Sequence, residues 1–350
     1  MGGLRQCGAA FIRFHNVPVQ VTTRRRFLQT LGLAVASTQG MLAGDREQRR
    51  SRWDMIAYSE DPVVPSFKPQ PALWDDHAIT AAWIGHATVL VNFLGVRMIT
   101  DPVFSDRIGL NVAGLFTIGP KRLVYPALPF DELPPIDLIL LSHAHMDHLD
   151  LPTLDRFDRK IPLIIAQNTA DVIADLGFET VYELDWGEWA NLRNLGIRVE
   201  ALQVKHFGWR YPWERDRSRG YPDGRSYNAY LISRNDRHIV FGGDTAYHEH
   251  FRKVAERTID IELAMMPIGA YDPWITNHCN PEQALAMSDH MHARRILPIH
   301  WNTFIQSEEP TAEPMTRMKE ALAAQPDRLA LDAIGQTWSS REIAGVPATG

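Results

Sequence analysis

The chain has 350 residues, 45% of them hydrophobic and 22% charged, with a formal net charge of −6. This composition supports one sizeable core and argues against disorder. The acidic balance argues against a broad nucleic-acid footprint, which needs a basic surface, and no apolar run is long enough to span a bilayer.

The N-terminus reads as an address. Thr23-Arg24-Arg25-Arg26-Phe27-Leu28-Gln29, followed by a short apolar segment to Ala36, matches a twin-arginine export signal. We therefore expect residues 1–44 to form a leader, residues 45–350 to form a single domain, and the mature protein to be periplasmic. Taking the leader's +5 from the whole chain's −6 leaves about −11 for the remainder. Cys7 falls in the leader, so Cys279 alone remains and no intramolecular disulfide is expected.

Strands are expected at Ile79–Ile84, Thr88–Phe93 and Val96–Thr100, with Leu94-Gly95 as a tight turn. Asp137–Leu141 and Pro162–Ala166 read as continuous apolar strands, and Asn168–Leu176 as a short helix. Ile197–Val204, Tyr227–Ile232 and His238–Phe241 read as strands, then Tyr247–Arg257 as a helix. Ile261–Met265 is a strand, Pro281–His292 a helix opened by proline, Arg295–Pro298 a strand and Met315–Ala324 a late helix. Mixed strand pairs and strand–helix units imply an α/β fold with helices outside the sheets. The apolar Gly109–Gly119 segment lacks clear periodicity, and core burial is favoured over a membrane edge or pocket wall. Phe207–Tyr227 is long for a loop and rich in Trp and Arg, so a lid and a solvated hairpin both suit it. His248, His250, His290 and His292 are expected to face solvent.

The chemistry concentrates in Leu140–Asp150, LLSHAHMDHLD. In an extended chain His143 and His145 project together, and a turn lets Asp147 and His148 face the same spot. Imidazole suits zinc and other late first-row ions, and carboxylate adds charge to hold a second. Further ligand types follow predicted strands: His206, Asp244 and His300. His143, His145 and His206 would hold one ion, and Asp147, His148 and His300 another, with Asp244 between them.

His143-Ala144-His145-Met146-Asp147-His148, with His206, Asp244 and His300 in that order, resembles the signature of the metallo-β-lactamase superfamily. Trp83–Val91, Thr100–Phe104, Ile118–Arg122, Met266–Pro273, His278–Ala284 and Ile299–Phe304 are similar to the branch containing N-acyl-phosphatidylethanolamine-hydrolysing phospholipase D. Ascorbate-phosphate lactonases share the motif and open with a similar Gly-His segment. The resemblance implies an αββα sandwich with two zinc ions at one edge. It implies that Asp101 bonds the backbone of the ligand loop and that His278 contacts substrate or acts as an acid. For His86, support of the site and simple strand packing stand level.

The expected chemistry is hydrolysis by a metal-bridging hydroxide held by Asp147 and Asp244. The favoured substrates are N-acyl-phosphatidylethanolamine-like lipids or related phosphodiesters, with peripheral membrane contact a corollary. A lactonase or other carbonyl-ester hydrolase is the alternative, and a non-catalytic metal- or lipid-binding protein the third. Oligomeric state is not legible in the sequence. Fold analogy does not choose between substrates.

Overall fold

A computed structural model describes residues 60–112, 116–257 and 259–341. The expected leader lies outside them. In chain order the strands are β1 (Ile79–Gly85), β2 (Thr88–Phe93), β3 (Val96–Thr100), β4 (Leu110–Val112), β5 (Phe116–Ile118), β6 (Leu138–Leu141), β7 (Leu163–Ala166) and β8 (Val181–Leu184). They continue with β9 (Trp189–Leu192), β10 (Ile197–Gln203), β11 (Asn228–Arg234), β12 (Arg237–Phe241), β13 (Ile261–Pro267), β14 (Ile296–Ile299) and β15 (Thr337–Ser339). A seven-stranded sheet has the order β15-β1-β2-β3-β6-β7-β8, a six-stranded sheet β14-β13-β12-β11-β10-β9, and β4-β5 form a separate ribbon.

Alternation along the strands explains the layers. In β6, Leu138 and Leu140 join the core between the sheets, while Ile139 and Leu141 join an outer cluster. Ile164 of β7 faces inward, and its neighbours Leu163 and Ile165 face outward. A strand buried on both faces reads as an unbroken apolar run, as LILL does. The outer cluster is roofed by Leu154 and Ile173, from the short helices Leu151–Leu154 and Ala170–Ile173. The helix Pro281–His290 packs on β13 over the other sheet. Its start is well specified: Asn280 caps it, Gln283 completes a capping box and Pro281 fills the first turn. The result is the expected αββα sandwich.

Several expectations are corrected. Only Arg252–Ala255 is helical within Tyr247–Arg257. The His248 imidazole accepts the His250 backbone N–H, a local bond that competes with a helical turn. His248 is consequently buried, His250 and His290 are half-buried, and only His292 is exposed. The helix expected from Asn168 starts at Ala170, because Asn168 is left-handed. The described residues of the Gly109–Gly119 segment are not core: they form the β4–β5 ribbon, with Phe116 56% and Ile118 41% exposed.

Candidate metal centre

Strand direction gathers the chemistry at one rim. In the larger sheet β1, β3 and β6 run the same way, and their carboxyl ends lead to His86, Asp101 and the loop Ser142–His148. In the smaller sheet β10, β12 and β14 run in one direction, leading to His206, Asp244 and His300. Ser142 O accepts from Asn228 N at 2.9 Å, and Tyr230 Oη donates to Leu141 O at 2.8 Å, tying the sheets together beneath the rim. The ligand loop closes on itself through His148 N and Leu149 N, which both donate to His145 O.

The backbone here is held in uncommon conformations. His86, Asp101 and His300 have φ of 53°, 31° and 63°. Non-glycine residues persist there only where their surroundings over-determine them, and such positions cluster at functional sites. Gly243, before Asp244, also has positive φ, and a β-carbon there would lie 2.7 Å from Ser142 Cβ. Gly243 thus lets Asp244 approach the ligand loop closely, while Gly242 leaves room for β13, where a β-carbon would lie 3.0 Å from Met265 O.

The structure brings together His143, His145 and His206 as one cluster, and His86, Asp147, His148 and His300 as another. In the first, His145 Nδ1 lies 2.7 Å from His143 Nε2 and 3.2 Å from His206 Nε2. His206 Nδ1 donates to Asn277 O at 2.7 Å, leaving Nε2 bare. Ser142 Oγ donates to Asp101, so it accepts from His143 Nδ1, and that Nε2 is bare as well. Two lone pairs therefore face a third nitrogen. Ligand nitrogens around a tetrahedral zinc stand roughly 3.3 Å apart, so a cation answers this crowding.

In the second cluster Asp147 Oδ2 lies 3.0 Å from His86 Nε2, 3.3 Å from His300 Nε2 and 3.4 Å from His148 Nε2. Asp101 is buried and accepts from Ser142 N at 2.7 Å and from His148 Nδ1 at 2.6 Å. It therefore sets the His148 tautomer and turns Nε2 toward the site, as carboxylates behind metal-binding imidazoles do. His86 sits against Asp147 and is not merely packed within a strand.

Asp244 lies between the two clusters. Its Oδ2 is 3.1 Å from both His148 Nε2 and His300 Nε2, and 3.8 Å from His206 Nε2. Both Asp244 oxygens are nonetheless buried and accept no aligned hydrogen bond. Buried, unsatisfied carboxylate oxygens are costly, and a cation satisfies them. His278 Nδ1, 3.7 Å from Asp244 Oδ2, is likewise buried without a partner.

Protonation follows the same division. Burial, reinforced by His145, holds His143 well below its ordinary value, and burial with His206 does so for His145. Burial also depresses His148, but Asp244, Asp147 and Asp101 outweigh it and lift that imidazole well above the usual range. Burial would raise Asp147 and Asp244, yet His148 and its neighbours hold both carboxyls well below it. The clustered carboxylates draw positive charge, as a cation site must.

Of two further contributors, Gln306 carries no signal in the sequence and Arg210 only its place in the Arg-rich Phe207–Tyr227 segment. Gln306 Nε2 donates to Asp147 Oδ2 at 2.7 Å. Arg210 donates to Ala144 O and Leu149 O, at 2.8 and 2.9 Å, clipping the Phe207–Tyr227 segment to the ligand loop. Beside that loop opens a cavity of about 570 Å³, lined by Met146, by Arg107, Lys121 and Arg210, and by Asp106 and Asp150. Arg107 and Lys121 are bridge partners continuing the β4–β5 ribbon, so its polar face turns to the cavity while Phe116 and Ile118 face outward.

Residues 96–301 match a family described as the beta-lactamase superfamily domain. The chain is 33% identical over 270 residues to N-acyl-phosphatidylethanolamine-hydrolyzing phospholipase D 1 of Caenorhabditis elegans, covering 72% of each protein. It is 30% identical over 303 residues to an uncharacterized protein of Mycobacterium tuberculosis, covering 83% of this chain and 77% of the other. Among solved structures, the isothiocyanate hydrolase from Delia radicum gut bacteria superposes with a TM-score of 0.58 at 18% identity, covering 74% of this chain and 97% of that one. This last likeness concerns the fold alone.

Proposed function

Since this chain belongs to the beta-lactamase superfamily, as a metal-dependent hydrolase of that family, we propose that it is a zinc phosphodiesterase of phospholipase D type. Its proposed substrates are N-acyl-phosphatidylethanolamine-like lipids or related diesters. The observation that carries this reading is Asp244: a buried carboxylate with no aligned hydrogen bond, 3.1 Å from His148 and His300 on one side and 3.8 Å from His206 on the other.

His143, His145 and His206 would hold one zinc ion, and Asp147, His148 and His300 the other, with Asp244 shared. Bound there, the ions would supply Lewis acidity for a phosphoryl oxygen and lower the pKa of water. Asp147 and Asp244 orient the attacking water. Water adds at phosphorus, the bond to the ethanolamine oxygen breaks, and the proton that the water gives up ends on that oxygen. Burial, opposed by Asp244, pushes His278 down to about 3. We assign it as a neutral hydrogen-bonding contact for substrate rather than as the acid. Asp101 and His86 hold the ligand residues in register.

The Caenorhabditis elegans relative, by its name, supports the phosphodiester class. The excess of basic over acidic residues lining the adjoining cavity supports an anionic substrate, and the exposed Phe116 and Ile118 support peripheral lipid contact. We further propose export by the twin-arginine route, which lysine substitution of Arg24 and Arg25 would block. The central test is a zinc count on purified protein, followed by turnover on phosphodiester and lactone panels. Two ions per chain with phosphodiester turnover are expected. Turnover of lactones alone would overturn the phosphodiester reading in favour of the carbonyl-ester one, and a metal-loaded but inert protein would favour a binding role.

A further inference from the structure

We infer that Gln306 is a positioning residue for Asp147, and through it for the second cation. The inference rests on the two-ion reading above. Asp147 Oδ2 receives Gln306 Nε2 at 2.7 Å, closer than His86 at 3.0 Å or His300 at 3.3 Å. Of these neighbours, Gln306 alone cannot change charge and is not an imidazole that a cation could recruit. Its amide orientation is also fixed by its partner. An ionised carboxylate only accepts, so the NH₂ end must face Asp147.

The segment carrying Gln306 leaves β14 through His300 and is anchored on both sides. Phe304 is bridged to Arg122, and the Glu309 carboxylate accepts from Tyr271 N and Asp272 N. Gln306 itself is only half-buried, whereas His86 is fully buried. His86 and Gln306 thus both contact one carboxylate oxygen, His86 from a fully buried position and Gln306 from a half-buried one. Together they restrict how far that oxygen can move. Outer partners of this kind change metal affinity by roughly 10–100-fold when removed.

The test uses Gln306→Met, which keeps length and volume but cannot donate, and Gln306→Glu, which keeps length and reverses the polarity. The full-length, metal-free proteins are titrated with Zn2+ alone against a chromophoric chelator. Two binding steps are expected for the natural protein. Gln306→Met should weaken the second roughly tenfold, leaving the first and the melting temperature of the cation-free protein unchanged. Gln306→Glu should alter the second step alone. Unchanged affinity in both variants would overturn the inference. So would an equal loss at both steps with a lower melting temperature, which is what a merely structural glutamine gives. Because no substrate enters this experiment, its failure is distinct from failure of the phosphodiesterase reading.

Discussion

The two ligand clusters are kept ready by opposite electrostatics. His143 and His145 are held neutral by burial and by a neighbouring imidazole, His145 for the first and His206 for the second, so their lone pairs converge without charge. Around Asp147, Asp101 and Asp244, carboxylates dominate and hold protons on His148 and on His300, which Asp244 lifts to about 9 against the effect of burial. The first cluster is a neutral nitrogen cage, and the second an acidic one that borrows protons when no cation is bound. Asp244 touches both, so the comparison predicts that substitutions differ in how many cations they cost.

Asp244→Ala should do the most damage: turnover falls on the order of 10³-fold, and bound zinc drops at both steps. Two ions retained at normal rates would show that the clusters do not share this carboxylate. Asp147→Asn should cost the second ion while sparing the first, with a rate loss on the order of 10²-fold and an unchanged circular dichroism spectrum. If that variant turns over normally, Asp147 has no part in orienting water. Asp101→Asn acts one bond further out, by releasing the His148 tautomer, and should weaken the second step by about 10–100-fold.

The smallest effect sharpens the electrostatic contrast itself. In chelated protein, His300 is raised above its unfolded value, so its contribution is present at neutral pH and is lost as pH rises through about 9. His143 and His145 are depressed, so the unfolded chain takes up their protons first and stability also falls as pH drops below about 6.5. The melting temperature of the chelated protein should therefore peak near neutrality. Added zinc should flatten the alkaline side, because the cation replaces the borrowed protons. An alkaline limb that persists with zinc would contradict this account.

Much of the fold was legible because central strands are buried on both faces. LILL and LIIA have no polar residue to obscure them, and β2 and β3 were located to the residue. The missed strands β8, β9 and β15 are all sheet edges, short and incompletely buried, where one side of the ladder needs no apolar partner. The ribbon at Gly109–Gly119 was misread for another reason. Its apolar residues alternate onto a face left exposed, which periodicity cannot distinguish from a buried one.

The run from His143 to His148 was conspicuous because so many ligand types in six residues serve no packing purpose. By contrast, Gln306 carries no local mark, and Arg210 is marked only as one of several arginines in a long segment, since amides and guanidiniums are ordinary on any surface. His86 was undecided for the same reason, because a strand-end histidine has many uses.

The sequence by itself determined which groups can bind a cation and the order in which they occur, because donor chemistry belongs to the side chain. Only the tertiary structure decided which of those groups meet. Strand direction, left-handed turns at His86 and His300, and the bare approach at Gly243 bring residues from Asp101 to His300 within a few bonds of one another. Hydrogen bonds from Gln306 and to Asp101 then aim them, and such partners arise from the folding of distant segments, which no local pattern encodes.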